Sequence, residues 1–272
     1  MTYFGFLAGF VVLPITVLLV WWFFNQRPGR NRFNHIRDFP IGYSFLLLAA
    51  VAVLYTTPWD NYLVATHVWW YDPALVLGIT IGWVPIEEYL FFMMQPILGG
   101  LFLLFLLSRR SIRPDREKLK SGVRKWSLPL SLMVWFVALV FLIAGEPSMT
   151  YLGLELAWAM PVIILQLFFG ADILWKHRRI LLVEVLTLTI YLSLADAFAI
   201  QSGVWTINPE KSLGMLVVGV LPVEEFVFFL LTNTLVVFGF ILIWSPESHS
   251  RLVGIWQKIR LGRHISNLRG EL

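Results

Sequence analysis

Seven apolar stretches, each near the length of a bilayer crossing, leave this chain few ways to fold. A spanning helix needs roughly 20 mostly apolar residues, because the hydrocarbon core is about 30 Å thick and offers the backbone no water to bond with. The stretches run over about 3–24, 40–56, 74–107, 126–144, 151–174, 180–200 and 212–244. Only 14% of residues are charged, against about 25% in a soluble domain. The sequence therefore reads as an all-α polytopic membrane protein with seven transmembrane helices. The first stretch is longer than a signal-peptide core and no Lys or Arg precedes it, so it reads as a spanning helix. The absence of cysteine removes disulfide and thiolate chemistry.

Two stretches are too long for one straight crossing. At 1.5 Å per residue, a helix through 74–107 would extend roughly 50 Å. Gly78, Gly82 and Pro85 precede a pair of acids there, and Gly214, Gly219 and Pro222 do the same in the last stretch. A break or an interfacial half-segment is expected before each crossing.

The net charge of +4 is not spread evenly. Every Lys and Arg except Lys211 falls in 25–38, 108–125, 175–179 or the tail from 245. That asymmetry predicts a multi-pass protein of the cell membrane with its N-terminus outside and its C-terminus cytoplasmic. The basic loops read as orientation and lipid-headgroup signals, not as a nucleic-acid surface.

Inside the two long stretches stand "WVPIEEYLFF" (83–92) and "VLPVEEFVFF" (220–229). Around them Asp60, Trp69, Gly78, Gly82, Pro85, Glu87, Glu88, Phe91 and Phe92 match Asp196, Trp205, Gly214, Gly219, Pro222, Glu224, Glu225, Phe228 and Phe229, with one residue gained. Pro14 and Pro161 give a weaker upstream match. Helices 1–3 thus resemble helices 5–7. Three helices are an odd number, so the fourth restores the orientation and makes the repeats parallel, a 3+1+3 layout. The expected units are a first repeat over 1–110, a basic loop and linker helix over 111–148, a second repeat over 149–245 and a basic tail over 246–272. Both acid pairs then lie at one depth, about 29 Å from the cytoplasmic helix ends.

Acids in such a setting have a bland reading: Glu suits the first turn of a helix after a proline, where free N–H groups meet it. Capping needs one carboxylate and leaves four unexplained. Ionisable groups within a membrane are functional by default, and no Lys or Arg at this depth pairs with these. Glu87, Glu88, Glu224 and Glu225 are therefore expected to hold protons, as donors in an apolar cavity. Phe91, Phe92, Phe228 and Phe229 share helix faces with the second acid of each pair and are candidates to hold a cation by their π faces. Trp69 and Trp205 read as interfacial belt or cavity wall. Gln95, Thr232 and Asn233 read as substrate-side groups or interhelical hydrogen bonds. Asp60 and Asp196 are read equally as loop caps or supporting acids, and Pro85 and Pro222 as the bends. Glu155, Asp172 and Glu184 are expected at the interface. No metal-ligand spacing and no dinucleotide fingerprint occurs.

"PIEEYLFFMMQ", "PVEEFVFFLLTN" and "PVIILQ" (161–166) resemble the twin Pro-x-Glu-Glu motifs of the membrane-embedded lycopene cyclase domain family, in its fused single-chain form. The resemblance spans essentially the whole chain. It implies acid-catalysed cyclisation of the ψ ends of lycopene to β-ionone rings in carotenoid biosynthesis, with no net redox change and no cofactor. It carries catalytic roles onto Glu87, Glu88, Glu224 and Glu225 without dividing donor from acceptor. A lipophilic carotenoid and membrane lipid are the implied partners. Because a polyene about as long as the core is thick, roughly 30 Å, would have its ends at opposite faces, parallel repeats favour one composite site working on one end at a time. A proton-coupled transporter is the competing expectation. An intramembrane Glu-Glu metalloprotease is disfavoured, since Phe92 and Phe229 stand where it needs Arg.

Overall fold

The computed structural model describes residues 1–25, 41–109, 119 and 122–257. Most of the basic residues expected to orient the chain, in 26–40, 110–118, 120–121 and 258–272, lie outside the described residues. Among the described residues seven helices are long and apolar enough to cross a membrane. They are α1 (Tyr3–Asn25, with π-type turns over Leu7–Val12), α2 (Ile41–Ala65), α3 (Ile86–Arg109), α4 (Val123–Ala144), α5 (Thr150–Lys176), α6 (Arg178–Gln201) and α7 (Val223–Trp244). Helices α3, α6 and α7 are the most buried and form the centre. Large apolar side chains such as Phe23, Leu54, Phe136 and Ile143 stand exposed on the outer helices, as a lipid-facing surface requires.

The two over-long stretches resolve as expected into a non-helical approach and a crossing. The approaches are hairpins: β2 (Thr80–Ile81) pairs with β3 (Val84–Pro85), and β5 (Leu216–Val217) with β6 (Leu221–Pro222). Gly78, Gly82, Gly214 and Gly219 all take positive φ in these approaches, which accounts for glycine at those positions. Each hairpin hands the chain to a helix by one bond, Ile86 N–H to Ile79 O and Val223 N–H to Met215 O, both 2.9 Å.

One boundary expectation needs correction. The second crossing runs to Ala65 and not to about 56, so Asp60 lies inside α2, and Asp196 lies inside α6. Both are 1% exposed; neither is a loop cap. Polar residues at the end of α2 lower its hydropathy, and Pro58 reads as a break. Yet a helix tolerates proline where neighbouring groups satisfy the freed carbonyl.

Between helices the chain pairs β1 (Trp69–Tyr71) with β4 (Trp205–Ile207), antiparallel, with Trp70 opposite Thr206. Asp72 N–H to Val204 O (3.0 Å) and Asn208 N–H to Val68 O (2.8 Å) extend the ladder symmetrically. This ribbon lies over one end of the bundle, at the helix starts that carry the glutamates. At the other end Asp172 accepts from Arg251 (2.6 Å) and Arg124 (3.4 Å), and Glu247 from Lys176 (2.8 Å), tying 246–257 to α4 and α5.

The β2–β3 hairpin is pinned to α2 through Asn61, whose Oδ1 accepts the Trp83 N–H at 2.7 Å. Gly82 sits at φ +68° with that oxygen 2.1 Å from where a Cβ would stand. Gly82→Ala is expected to destabilise the protein by about 1–3 kcal/mol, read as a lowered melting temperature in detergent.

Candidate active site

Each acid pair occupies the first turn of its helix, Glu87 and Glu88 in α3, Glu224 and Glu225 in α7. Adjacent residues on a helix point about 100° apart, and the two members of each pair meet different surroundings. Glu87 Oε1 accepts the Leu77 N–H at 2.7 Å, and Glu224 Oε1 accepts the Leu213 N–H at 2.6 Å. These first acids bind the approach loops, which is the capping role in a modified form. The second acids face inward.

Glu88 Oε2 accepts the hydroxyl hydrogens of Tyr3 and of Tyr71, the latter at 3.0 Å. Glu225 Oε1 accepts from the Tyr151 hydroxyl at 2.7 Å. Tyr3 and Tyr151 sit at the starts of α1 and α5, and their own N–H groups bond Leu75 O (2.9 Å) and Lys211 O (3.0 Å), so each approach loop also fixes a tyrosine. Tyr71 lies on β1, outside the spans. Burial, with the Asp60 and Glu88 carboxyls beside it, pushes its phenol well above 10, so it remains a donor.

Both inner acids open into one cavity beneath the β1–β4 ribbon. Its walls include Asp60, Asp196, Trp69, Trp205, Phe91, Phe92, Phe228 and Phe229. Trp205 Nε1 donates to Asp196 Oδ1 at 2.8 Å. Asp196 and Glu225 share one wall of the cavity, and Asp196 Oδ2 has no hydrogen-bond partner. Asp60 has no hydrogen-bond donor on either oxygen, and lies within electrostatic reach of both Glu88 and Glu225. The aromatic rings interlock: Phe91 meets Phe229 edge-on at 6.4 Å, and Trp59 stacks on Phe228 at 5.9 Å.

The structure thus gathers ten of the residues singled out in the sequence and leaves others outside. Glu87, Glu224, Pro85 and Pro222 shape the approach without lining the cavity. Gln95 Nε2 donates to Thr232 Oγ1 (3.0 Å) and Asn233 Oδ1 (3.1 Å) deeper in the bundle, the interhelical reading. Glu155 and Glu184 stand within two turns of the starts of α5 and α6 and are covered by protein, both 0% exposed. Sequence reasoning missed Tyr3, Tyr71, Tyr151, Phe6 and Trp59 as wall residues. A signal existed for two of them, since Thr2-Tyr3-x-Gly5 recurs as Thr150-Tyr151-x-Gly153.

Helices of membrane length closing over four carboxyl groups and a wall of aromatic rings define a polytopic membrane protein with a buried carboxyl cluster between its helices. The chain belongs to the lycopene cyclase family, whose family model matches residues 1–106 and 148–243. It is 40% identical over 198 residues to a lycopene beta-cyclase of Halobacterium salinarum, covering 72% of this chain and 80% of that protein. It is 33% identical over 207 residues to a bifunctional lycopene cyclase/phytoene synthase of Gibberella fujikuroi, covering 73% of this chain and 34% of that one. A protein of the same description from Blakeslea trispora is 31% identical over 236 residues, 85% of this chain and 37% of the relative. No solved structure matches the chain.

Glu87→Ala leaves the Leu77 N–H without its acceptor and is expected to lower stability by about 1 kcal/mol. Glu87→Gln keeps an acceptor oxygen and should melt close to wild type; equal melting of both variants would remove the loop-binding role.

Proposed function

We propose that the chain is a lycopene β-cyclase with a single composite site, in which Glu225 protonates the substrate and Glu88 takes a proton back. What carries the reading is that one inner acid from each half opens into the same aromatic cavity. Glu225 has one phenol donor and a second carboxyl group, Asp196, on the same wall, and like charges crowded there favour a protonated acid, which suits a donor. Glu88 accepts two phenol hydrogens on one oxygen, which suits a carboxylate and hence a base.

Protonation of the terminal double bond of a ψ end gives a tertiary cation. The neighbouring double bond attacks it, the ring closes, and loss of a ring proton to Glu88 leaves the β-ring. Electrons are redistributed with no net redox change. The faces of Phe91, Phe229, Trp59 and Phe228 stabilise the positive charge while it lasts. An apolar wall also keeps water from trapping the cation as an alcohol. One cavity shared by both halves serves one end at a time of a polyene roughly 30 Å long, so the rest of the molecule extends into lipid, and two rings require two visits.

The repeated bonds at both halves support reading the molecule as two parallel three-helix units with α4 as linker. The basic segments at the far end support a cytoplasmic C-terminus in the cell membrane. No observation favours the proton-coupled carrier.

Expression in cells that accumulate lycopene, with pigments separated by chromatography, tests the reading. The wild type is expected to convert lycopene to one- and two-ring products with β-rings. Glu88→Gln and Glu225→Gln should each lose at least about 10²-fold in ring formation, at both ends alike. Glu87→Gln and Glu224→Gln should stay near wild type. Unchanged lycopene with well-inserted wild-type protein would overturn the cyclase assignment.

A further inference from the structure

The two hairpins before α3 and α7 line no part of the cavity, and their outward faces are apolar. On β2–β3 and its approach Leu77, Ile79, Ile81 and Trp83 are exposed, Trp83 to 67%. On β5–β6 and its approach Met215, Leu216 and Val218 are exposed, Val218 to 83%. No Asp, Glu, Lys or Arg occurs in 74–86 or 212–223. Charges at this end of the bundle sit instead on the loops beside the β1–β4 ribbon, where Asp72 and Glu210 are exposed. The first hairpin lies beside the helix ends and not beyond them. Asn61, one turn before the end of α2, accepts the Trp83 N–H and donates through Nδ2 to Tyr89 Oη at 2.9 Å. Tyr89, one turn into α3, donates to Ile81 O at 2.7 Å. These bonds hold the hairpin at the depth of the glutamates and give its polar backbone groups partners, as lipid requires. The second hairpin has Ala197 and Phe226 at the matching positions, so it lacks that pin. Its turn is Val218-Gly219, at φ +54° and +75°. A β-branched residue is strained there, and Asn or Asp suits such a turn better. An exposed valine at that point needs an offsetting gain, which apolar burial in lipid supplies.

We propose that both hairpins are immersed in the leaflet at the ribbon end of the bundle, with phospholipid acyl chains against their apolar faces. They continue the exposed apolar surface of the outer helices, and their lack of charge carries that surface up to the helix ends. A two-stranded hairpin has unpaired edge groups, so its depth is the interfacial zone and not the hydrocarbon centre. Leu77 and Leu213, whose N–H groups bind Glu87 and Glu224, stand at the roots of the hairpins. Lipid contact thus steadies the same loops that hold the first acid of each pair. Immersion of this kind holds whatever reaction the cavity performs.

The chain has no cysteine, so one introduced cysteine carries one label. Full-length Trp83→Cys and Val218→Cys proteins, each labelled with bimane, are placed in phosphatidylcholine vesicles, with Glu210→Cys beside the ribbon as the water-facing control. Bimane at 83 and at 218 is expected to emit at shorter wavelength than at 210. It should lose most of its emission when the acyl chains are brominated, and little when iodide is present on both sides of the bilayer. At 210 iodide should quench and brominated lipid should not. Ile79→Cys and Leu216→Cys repeat the measurement where either first variant fails to insert. Quenching by iodide and not by brominated lipid, at either hairpin, would overturn the proposal. Protection from both quenchers would also overturn it, and would point to a second copy of the chain covering the hairpin.

Discussion

Carboxyl groups inside membrane-length helices constrain everything around them. A carboxyl taken from water needs a donor or must retain its proton, because an unpaired buried charge is far too costly in hydrocarbon. The fold meets that demand acid by acid. Approach loops supply N–H groups to Glu87 and Glu224, tyrosines supply hydroxyls to Glu88 and Glu225, and Trp205 supplies its indole N–H to Asp196. The hairpins, the positive-φ glycines and the β1–β4 ribbon are the means by which those donors reach the starts of α3 and α7. On Asp60, Glu155 and Glu184 neither oxygen has a donor.

The same bonds recur at both halves, yet the halves are not chemically equal. Glu88 has two phenols and Glu225 has one phenol, with Asp196 on the same wall. Tyr71 on β1 faces the cavity where β4 has Ile207. A chemistry that needs both a donor and an acceptor within one water-poor cavity uses that inequality. Two identical half-sites would each hold two acids and leave donor and base undistinguished.

Much of this is legible in the sequence because hydropathy and repetition are strong signals. The spans, the breaks before α3 and α7, and the pairing of the Pro-x-Glu-Glu motifs all follow from residue spacing. What escaped did so for physical reasons. Asp60 falls past a proline in a stretch of falling hydropathy, so the helix that buries it seemed to have ended. Glu155 and Glu184 stand near span ends, where charge usually meets water, but neighbouring helices cover them. Tyr3 and Tyr151 are ordinary aromatic residues in an aromatic-rich chain, and their hydrogen bonds to acids more than 70 residues away appear only once the helices pack. Which member of each Glu pair faces inward depends on helix rotation, and the face that Glu88 and Glu225 share with the phenylalanines is the motif's one hint.

The central claim is that both halves build one site. Equilibrium binding of a short polyene bearing a single ψ end group to the purified chain in lipid nanodiscs counts the sites directly. One molecule bound per chain is the predicted result. Two equal sites per chain would mean that each half works alone and would contradict the composite cavity.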